Sequence, residues 1–148
     1  MRDIRQHVKI RLLQKDDIEN ILELLKKTGL LFESCDTRET YERMIEHNPQ
    51  SVLVMTRNEL IIGMMFIVYS PLVAILYHGC IDPEFQGQGL GTVLMIESEK
   101  VIKELGGTKC ITAYIEEGNN PSLSMCERLG FETYSVPIVC VYKDCGLK

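Results

Sequence analysis

Residues 81–92, Ile-Asp-Pro-Glu-Phe-Gln-Gly-Gln-Gly-Leu-Gly-Thr, join an apolar run rich in β-branched residues to a helix-like segment. The glycines Gly87, Gly89 and Gly91 lack a Cβ, so the backbone can adopt positive φ there and an anion can approach successive main-chain N–H groups. A helix that begins near Thr92 would add its unpaired N–H groups and the positive end of its dipole. This stretch therefore predicts a phosphate-binding turn between a strand and a helix.

The spacing of these glycines excludes two common phosphate-binding loops. A dinucleotide-binding loop needs a third glycine where this chain has Thr92, and an acidic residue about 20 positions later, where it has Lys109. A nucleoside-triphosphate loop needs Gly-Lys-Ser/Thr at its end, and residues 91–93 read Gly-Thr-Val. The pattern that remains is Gln86-x-x-Gly89-x-Gly91, and on this evidence alone an ordinary surface turn stays open.

Length and composition predict one enzyme-sized domain over residues 1–148. The chain is 45% apolar, which is enough to bury a substantial core. Its formal charge of −5 argues against a nucleic-acid partner and weakly favours cationic substrates. The longest apolar run, Leu60 to Tyr69, is about half of what a membrane helix requires, so no membrane partner is expected.

The cysteines indicate a reduced, cytoplasmic protein without a metal. None of the six has Cys-x-x-Cys spacing, and the three histidines are scattered. Several cysteines lie in apolar, strand-like runs, where a free thiol behaves as a small hydrophobic group.

Hydrophobic periodicity and turn signals predict the element order β-α-α-β-β-β-α-β-α-β-β. A helix follows the cap Asp16-Asp17 and stops at Gly29, and Asn58-Glu59 joins two strands as a hairpin. The predicted strands are 8–13, 51–57, 60–70, 73–81, 109–115, 131–135 and 138–143, and the later helices are 37–47, 92–105 and 121–129.

This order and two motifs resemble the GNAT superfamily of acetyl-CoA-dependent N-acetyltransferases. The family's loop reads Gln/Arg-x-x-Gly-x-Gly/Ala, as residues 86–91 do. The sequence Asn119-x-x-Ser122-x-x-x-Cys126, followed by Leu-Gly-Phe at 129–131, is similar to its later signature. The resemblance implies an α/β fold with a mixed, mostly antiparallel sheet flanked by helices, in which strands 4 and 5 are parallel and splayed.

The resemblance also implies acetyl-CoA as the cosubstrate. Its pantetheine arm is expected between strands 73–81 and 109–115, where the main chain at Gly79 and Ile81 would pair with it, and Asn119 and Ser122 would lie on the pantetheine side. Gly79 as a β-bulge and Asn119 as a turn residue or cap are the alternatives. The pyrophosphate is expected at Gln86, Gly87, Gln88, Gly89, Leu90, Gly91 and Thr92.

Cys126 departs from the family pattern, because relatives commonly have a tyrosine there that protonates the leaving sulfur. A cysteine is shorter and a weaker hydrogen-bond donor. It could serve as the proton donor, fill space on a short helix, or form an acyl-cysteine intermediate, although no histidine or acid is near in sequence to activate it.

The sequence also leaves open which residue acts as the general base. Candidates are Tyr114, where some relatives have a glutamate, and Tyr77 and His78 on the preceding strand. By alternation Tyr77 shares a face with Gly79 and Ile81, and His78 lies on the opposite face. His78 has the right reference pKa for a base, and a packed, hydrogen-bonded histidine is the alternative. Glu116 and Glu117 could bind a cationic substrate or form a solvated turn.

The leading hypothesis is direct acetyl transfer from acetyl-CoA to a primary amine of a small molecule or peptide, with catalysis mostly by positioning. The alternative is a non-catalytic sensor or regulatory domain that binds coenzyme A. In the family the acceptor is selected by the first helices and their loop and by the final strands. Phe32, Glu33, Asp36 and Tyr41 are expected to border this cleft, with packing as the alternative for Phe32 and Tyr41. Relatives often pair through the last strands, so a homodimer stays open.

Overall fold

The computed structural model describes residues 7–145, and this range contains five strands and four α-helices. The order agrees with the prediction as far as the fourth helix, which confirms the α/β fold class. In chain order the elements are β1 (Val8–Leu12), α1 (Ile18–Thr28), α2 (Arg38–His47), β2 (Val52–Arg57), β3 (Leu60–Val68), β4 (Val73–Ile81), α3 (Leu90–Glu104), β5 (Cys110–Ala113) and α4 (Asn120–Arg128).

The strands form one sheet in the order β1-β2-β3-β4-β5. The first three pairings are antiparallel, whereas β4 and β5 are parallel and are connected through α3. A parallel pair needs such a crossover because the chain must return to the same end of the sheet. The mixed sheet with a parallel β4–β5 pair was predicted and is confirmed.

The β2–β3 hairpin turns at Asn58 and Glu59, which both have positive φ, of 49° and 65°. Two consecutive left-handed residues match the right-handed twist of the flanking strands, and asparagine tolerates that conformation well. The predicted two-residue connection is therefore present.

The main core lies between the sheet and the pair α1 and α2. Its buried side chains come from the apolar stripe of α1, from Tyr41 of α2 and from alternate positions of β2 and β3. Alternation places the other side chains of the strands on the opposite face, towards α3. There a cavity of about 270 Å³ lies between β1 and α3, lined by Val8, Ile10, Leu90, Val93 and Glu97.

Helix α1 ends at Gly29, as predicted. Gly29 has a φ of 77°, and the N–H of Leu30 donates to the carbonyl of Leu25 at 2.9 Å. This left-handed C-cap satisfies carbonyls that the last turn leaves without a helical donor. It also starts the loop that leads to Asp36.

The prediction of two closing strands at 131–135 and 138–143 is wrong, because residues 131–145 have no regular secondary structure. The prediction rested on an apolar pattern alone, and a strand also needs a partner for its main-chain groups. Pro137 interrupts the segment because it has no N–H to donate. Apolar side chains such as Val139 and Val141 are consequently exposed.

The contacts divide the chain into two units, one up to Tyr114 and one from Ile115, which contains α4. A single domain over residues 1–148 stays a prediction. No α-helix between residues 7 and 145 combines the length and the apolar composition that crossing a bilayer requires.

Candidate active site

Residues 86–92, the glycine loop, form a tight turn into α3. Gly87 and Gly89 have φ of 77° and 78°, and Gly89 is the N-cap of α3. Gly91 lies inside the first turn, so the expectation of positive φ is met at Gly87 and Gly89 but not at Gly91. Helix α3 starts at Leu90, two residues before the predicted start, since a left-handed N-cap already directs the chain into the helix.

The main-chain donors of the glycine loop face no protein acceptor. Within residues 7–145, neither a carbonyl nor a side chain accepts a hydrogen bond from the N–H groups of Gly87 through Thr92. Three of these groups belong to the first turn of α3, where the helix dipole also favours negative charge. The loop can therefore bind an anion with several oxygen acceptors.

Two side chains stabilise the segment that leads from β4 into the glycine loop. Gln86 donates from Nε2 to the carbonyl of Ile81 at 2.9 Å. Asp82 accepts from the N–H of Glu84 at 2.9 Å, which caps a single 3₁₀ turn at Pro83–Phe85. The side chain of Gln86 is thus used to shape the turn, and the loop's anion-binding capacity lies in its main chain.

A lysine on α1 forms an ion pair with the same turn. Lys27 Nζ lies 2.7 Å from Asp82 Oδ2, across 55 positions of sequence. Burial alone would raise the pKa of Asp82, but the hydrogen bonds from Lys27 and from the N–H of Glu84, together with the charge of Lys27, outweigh it, so the pKa lies below its ordinary value. The carboxylate therefore stays ionised at neutral pH and connects α1 to the end of β4.

Strands β4 and β5 part where the resemblance predicts. Their pairing covers Val73–Leu76 with Cys110–Ala113, whereas β4 continues to Ile81. Main-chain groups of β4 beyond Leu76 consequently have no strand beside them on the β5 side within the described range. This strand opening, residues 77–81 of β4, leads directly into the glycine loop.

A β-bulge lies within the strand opening. Between the pairs Met64–Cys80 and Phe66–Tyr77, β3 contributes one residue and β4 contributes two, His78 and Gly79. His78 has a φ of 53°, which is uncommon for a residue other than glycine. Gly79 thus takes part in a bulge, one of the two interpretations that the sequence left open.

Because of the bulge, the prediction that Tyr77 and His78 lie on opposite faces of the sheet is wrong. Their rings lie 4.3 Å apart between centroids, so they are on the same side of the sheet. Strict alternation assumes one residue per step on each strand, and the extra residue on β4 breaks that assumption. Tyr77 also meets Phe66 edge to face at 6.1 Å.

His78 is part of a buried polar cluster with Asp36 and Tyr41. His78 Nε2 lies 3.0 and 2.9 Å from the two carboxylate oxygens of Asp36, and the side chains are 8% and 6% exposed. The Tyr41 hydroxyl donates to Asp36 Oδ1 at 2.7 Å, and the N–H of Phe32 donates to Oδ2 at 2.8 Å. The histidine is therefore packed and hydrogen-bonded, as the alternative interpretation expected.

These donors decide the charge of the polar cluster. Desolvation alone would raise the pKa of Asp36, but hydrogen bonds from His78, Phe32 and Tyr41 lower it below its ordinary value. Burial beside this carboxylate raises the pKa of Tyr41 well above its ordinary value. Asp36 is thus ionised and Tyr41 neutral at physiological pH.

The second motif lies in the second unit. Asn119 is the N-cap of α4, and its side chain accepts from the N–H of Ser122 at 3.4 Å, which is the capping role that the sequence left open. Cys126 is buried, and desolvation raises the pKa of its thiol. A thiol that stays protonated is a poor nucleophile, which disfavours an acyl-cysteine intermediate.

Most of the remaining candidates lie at the surface. Tyr114 follows the end of β5 and is 61% exposed, and Glu116 and Glu117 are exposed in the turn that begins the second unit. Phe32 is exposed on the α1–α2 loop, whereas Tyr41 is almost completely buried as a packing residue.

The sequence did not identify two features of the site. Lys27 is separated from Asp82 by 55 positions and Asp36 from His78 by 42, so no local pattern links either pair. The one local signal was Asp82-Pro83, which is typical of a capped turn at the end of a strand. Asp36 was expected near the acceptor cleft, but its contact with His78 was not.

The residues present fit coenzyme A. The glycine loop offers unpaired main-chain donors to a pyrophosphate, and the side-chain Oε1 of Gln88 is buried there without a partner among residues 7–145. The strand opening provides main-chain groups that an amide-containing chain could pair with, as a neighbouring strand would. The phosphate end and the extended arm would thus find matching groups on consecutive residues of β4 and its loop.

Comparisons with known proteins agree with this geometry. Residues 18–131 match the model of the Acetyltransferase (GNAT) family. An acetyltransferase of Photorhabdus laumondii subsp. laumondii is 29% identical over 84% of this chain and 87% of its own length.

Solved structures show the same fold. The PaiA N-acetyltransferase of Thermoplasma acidophilum, solved with coenzyme A, superposes with a TM-score of 0.75 at 20% identity, over 88% of this chain and 92% of that one. An aminoglycoside acetyltransferase from an uncultured soil metagenomic sample superposes with a TM-score of 0.73 at 19% identity, over 95% of this chain and 99% of that one. Since the family model covers most of the sequence and the fold agrees, this chain belongs to the GNAT family of acetyltransferases.

Proposed function

We propose that this protein transfers the acetyl group of acetyl-CoA directly to a primary amine of a small molecule or peptide. The observation that carries the proposal is the continuity of an open strand edge with a loop of unpaired N–H groups. The strand opening at 77–81 runs into the glycine loop, whose N–H groups have no acceptor in the described range. One extended cosubstrate can use both.

The binding role is divided between the loop and the strand. The pyrophosphate lies against the N–H groups of Gly87 through Thr92, and the main chain at Gly79 and Ile81 pairs with the pantetheine arm. Asn119 and Ser122 lie on the pantetheine side of the cosubstrate. Such pairing places the thioester near the bulge, where the donors of β4 can stabilise negative charge on its carbonyl oxygen.

The acceleration comes mainly from proximity. An amine held against the thioester reacts in an effectively unimolecular step. The acidic composition of the chain, with a formal charge of −5, favours the approach of cationic amines. Cys126, whose thiol is kept protonated by burial, is a candidate donor to the departing sulfur.

Thiol release from acetyl-CoA tests the proposal. The purified protein is mixed with acetyl-CoA and one amine at a time, chosen from spermidine, an aminoglycoside, free amino acids and a peptide with a free N-terminus. At least one amine should raise thiol release well above the rate without amine. If none does, while acetyl-CoA also leaves the melting temperature unchanged, the proposal fails.

A coenzyme A sensor is the second candidate, because the position where relatives have a tyrosine holds a buried cysteine. It predicts stabilisation by acetyl-CoA without turnover; a ligand at 100 times its Kd adds about 2.7 kcal/mol. Replacing Cys126 by Ala then separates two roles in an active enzyme. A large fall in kcat identifies a proton donor, and an unchanged kcat leaves packing as its role.

A further inference from the structure

Two aromatic side chains near the polar cluster are exposed. Tyr77, the first residue of the strand opening, is 41% exposed, and Phe32, on the loop between α1 and α2, is 40% exposed. Tyr41, which bonds to the same cluster, is by contrast almost completely buried. Aromatic side chains gain much from burial, so exposed rings beside a binding cleft form a surface that a ligand can cover.

The polar cluster fixes the positions of both residues. The N–H of Phe32 donates to Asp36 Oδ2 at 2.8 Å, and His78 Nε2 lies 2.9 Å from the same oxygen. The ring of His78 lies against the ring of Tyr77, with 4.3 Å between the centroids and 34° between the planes. The α1–α2 loop and the start of the strand opening are therefore connected through Asp36.

The ring of Tyr77 is supported by two neighbours. His78 lies against it, and Phe66 meets it edge to face, with 6.1 Å between the centroids and 82° between the planes. The exposure of Tyr77 remains with both contacts in place, so the exposed part of the ring is a preformed surface. A ring that is already held in position loses little conformational freedom when a ligand covers it.

This surface lies next to the position proposed for the thioester. Tyr77 directly precedes the bulge at His78 and Gly79, where the proposed function places the reacting carbonyl. Because consecutive Cα atoms are only about 3.8 Å apart, a group that covers Tyr77 can lie a few bonds from that carbonyl. An acceptor that uses this surface therefore needs only a short link between its apolar group and its nitrogen.

The charges in this region do not favour an acceptor with several cationic groups. The carboxylate of Asp36 is engaged by three donors, and its side chain is 6% exposed. A second ammonium group would have to displace one of these donors to form an ion pair there. Glu33 lies exposed on the loop, where an ion pair in water contributes little. Recognition of the acceptor then depends mainly on the two rings.

We propose that Tyr77 and Phe32 form an aromatic subsite for the acceptor, and that the acceptor is a primary amine with an aromatic ring a short carbon chain from its nitrogen. The inference rests on the proposed function and names its substrate class. Offset-stacked or edge-to-face rings attract each other beyond the area that they bury. Two sources share this chemistry, an arylalkylamine and a peptide that begins with phenylalanine, because both carry the ring two carbons from the amine.

The selectivity of thiol release from acetyl-CoA tests the aromatic subsite. We would measure kcat/KM for 2-phenylethylamine, for n-butylamine, which lacks the ring, and for spermidine, which has further cations instead. Each value is expressed per concentration of unprotonated amine, so that the basicities of the amines cancel. 2-Phenylethylamine should exceed both others at least about tenfold.

A pair of peptides distinguishes the two sources. One begins with phenylalanine and the other, otherwise identical, begins with alanine. A preference of about tenfold for the first assigns the acceptor to a peptide. Equal values for the two peptides, together with a preference for 2-phenylethylamine, assign it to a small arylalkylamine.

Tyr77→Leu is the decisive variant, because it removes the ring and keeps an apolar side chain. The selectivity for the aromatic acceptor should fall about tenfold, mainly through KM, while the Kd for acetyl-CoA stays within about twofold. Tyr77→Phe should retain the selectivity, which separates a ring surface from proton transfer by the phenol. Leu72→Ala is the control: Leu72 is 73% exposed before the other end of β4, and its variant should keep the selectivity of the unmodified protein.

A binding measurement makes the aromatic subsite testable without turnover. In calorimetry with the protein saturated with coenzyme A, the Kd for 2-phenylethylamine should rise about tenfold in Tyr77→Leu. Should that variant fail to fold, Phe32→Leu replaces it, with a loss in the same direction.

The inference is overturned if neither aromatic acceptor is preferred over its counterpart without the ring. It is also overturned if Tyr77→Leu keeps both the selectivity and the Kd of the unmodified protein. Failure of the proposed function is a different result, in which no amine stimulates thiol release. In that case the calorimetric comparison still decides whether the aromatic subsite exists.

Discussion

In the glycine loop, the main-chain N–H groups from Gly87 to Thr92 lack protein acceptors, whereas around Asp36 both carboxylate oxygens are fully engaged. The loop is exposed and offers donors to a ligand. The polar cluster of Asp36, Tyr41 and His78 is buried, and its side chains bond to one another. The loop is therefore organised to bind a ligand and the cluster to satisfy its own polar groups; the loop follows the end of β4, and the cluster includes His78 of that strand.

The comparison predicts different consequences of mutation. Removing a member of the polar cluster should first reduce the stability of the free protein, because buried donors lose their acceptor. Changing the glycine loop should first reduce ligand affinity, because its donors have no protein partner to lose.

The largest effect is expected for Asp36→Ala. This change removes the acceptor of three donors and leaves the Tyr41 hydroxyl and His78 Nε2 buried without a partner. The free energy of unfolding should fall by about 3 kcal/mol, measured by urea denaturation of the free protein at neutral pH. Glu39→Ala, at an exposed position of α2, should change it by less than about 0.5 kcal/mol.

The pH dependence of stability checks the predicted loss of unfolding free energy in Asp36→Ala. Because the pKa of Asp36 is lowered in the folded state, its stabilisation is complete above the unfolded pKa of about 3.9 and disappears as the pH falls through the lowered value. The difference between the unmodified protein and Asp36→Ala should therefore shrink below about pH 4. A difference that stays constant down to pH 2 would contradict an ionised, hydrogen-bonded Asp36.

An intermediate effect is expected for Gly87→Ala. Gly87 and Gly29 both have a φ of 77°, and a Cβ added at either would meet no atom within 4 Å. Each substitution should therefore cost about 1 kcal/mol of stability through the left-handed backbone. Gly87→Ala alone should also raise the Kd for coenzyme A about tenfold, as measured by calorimetry, because the glycine loop must keep its shape around a pyrophosphate.

Gly29→Ala serves as the matched control for the glycine loop. It lies at the C-cap of α1, so its Kd should equal that of the unmodified protein. An equal loss of affinity in both variants would mean that general destabilisation, and not the loop, controls binding.

The smallest effect is expected for Lys27→Met. The change removes the hydrogen bond to Asp82 and loosens the turn that precedes the glycine loop, while it keeps most of the aliphatic side chain. Because Lys27 is half exposed, the Kd for coenzyme A should rise by only about twofold to threefold. Lys100→Met, which breaks the surface pair with Glu97 on α3, should leave the Kd unchanged.

Local signals in the sequence predicted most of the fold that positions the site. Gly29 was expected to end a helix, the glycines of 87–91 to precede one that begins near Thr92, and Asn58-Glu59 to form a hairpin, because these residue types adopt the required backbone angles. The strand opening was implied by the family resemblance, and the end of the β4–β5 pairing at Leu76 and Ala113 agrees with it.

The site was less predictable where it depends on distant partners. The bulge at His78 changes the side on which a ring lies, yet nothing in the residues around it separates a bulge from a regular strand. The contact between Asp36 and His78 joins a loop to a strand across 42 positions. The prediction of two closing strands was wrong for a related reason, since an apolar pattern does not identify a partner strand.

The main-chain character of the glycine loop has an evolutionary consequence. In the proposed binding mode the anion contacts amide groups, which every residue except proline carries, so the chemistry of the loop's side chains is not used for binding. Selection on such a turn would act on its backbone geometry.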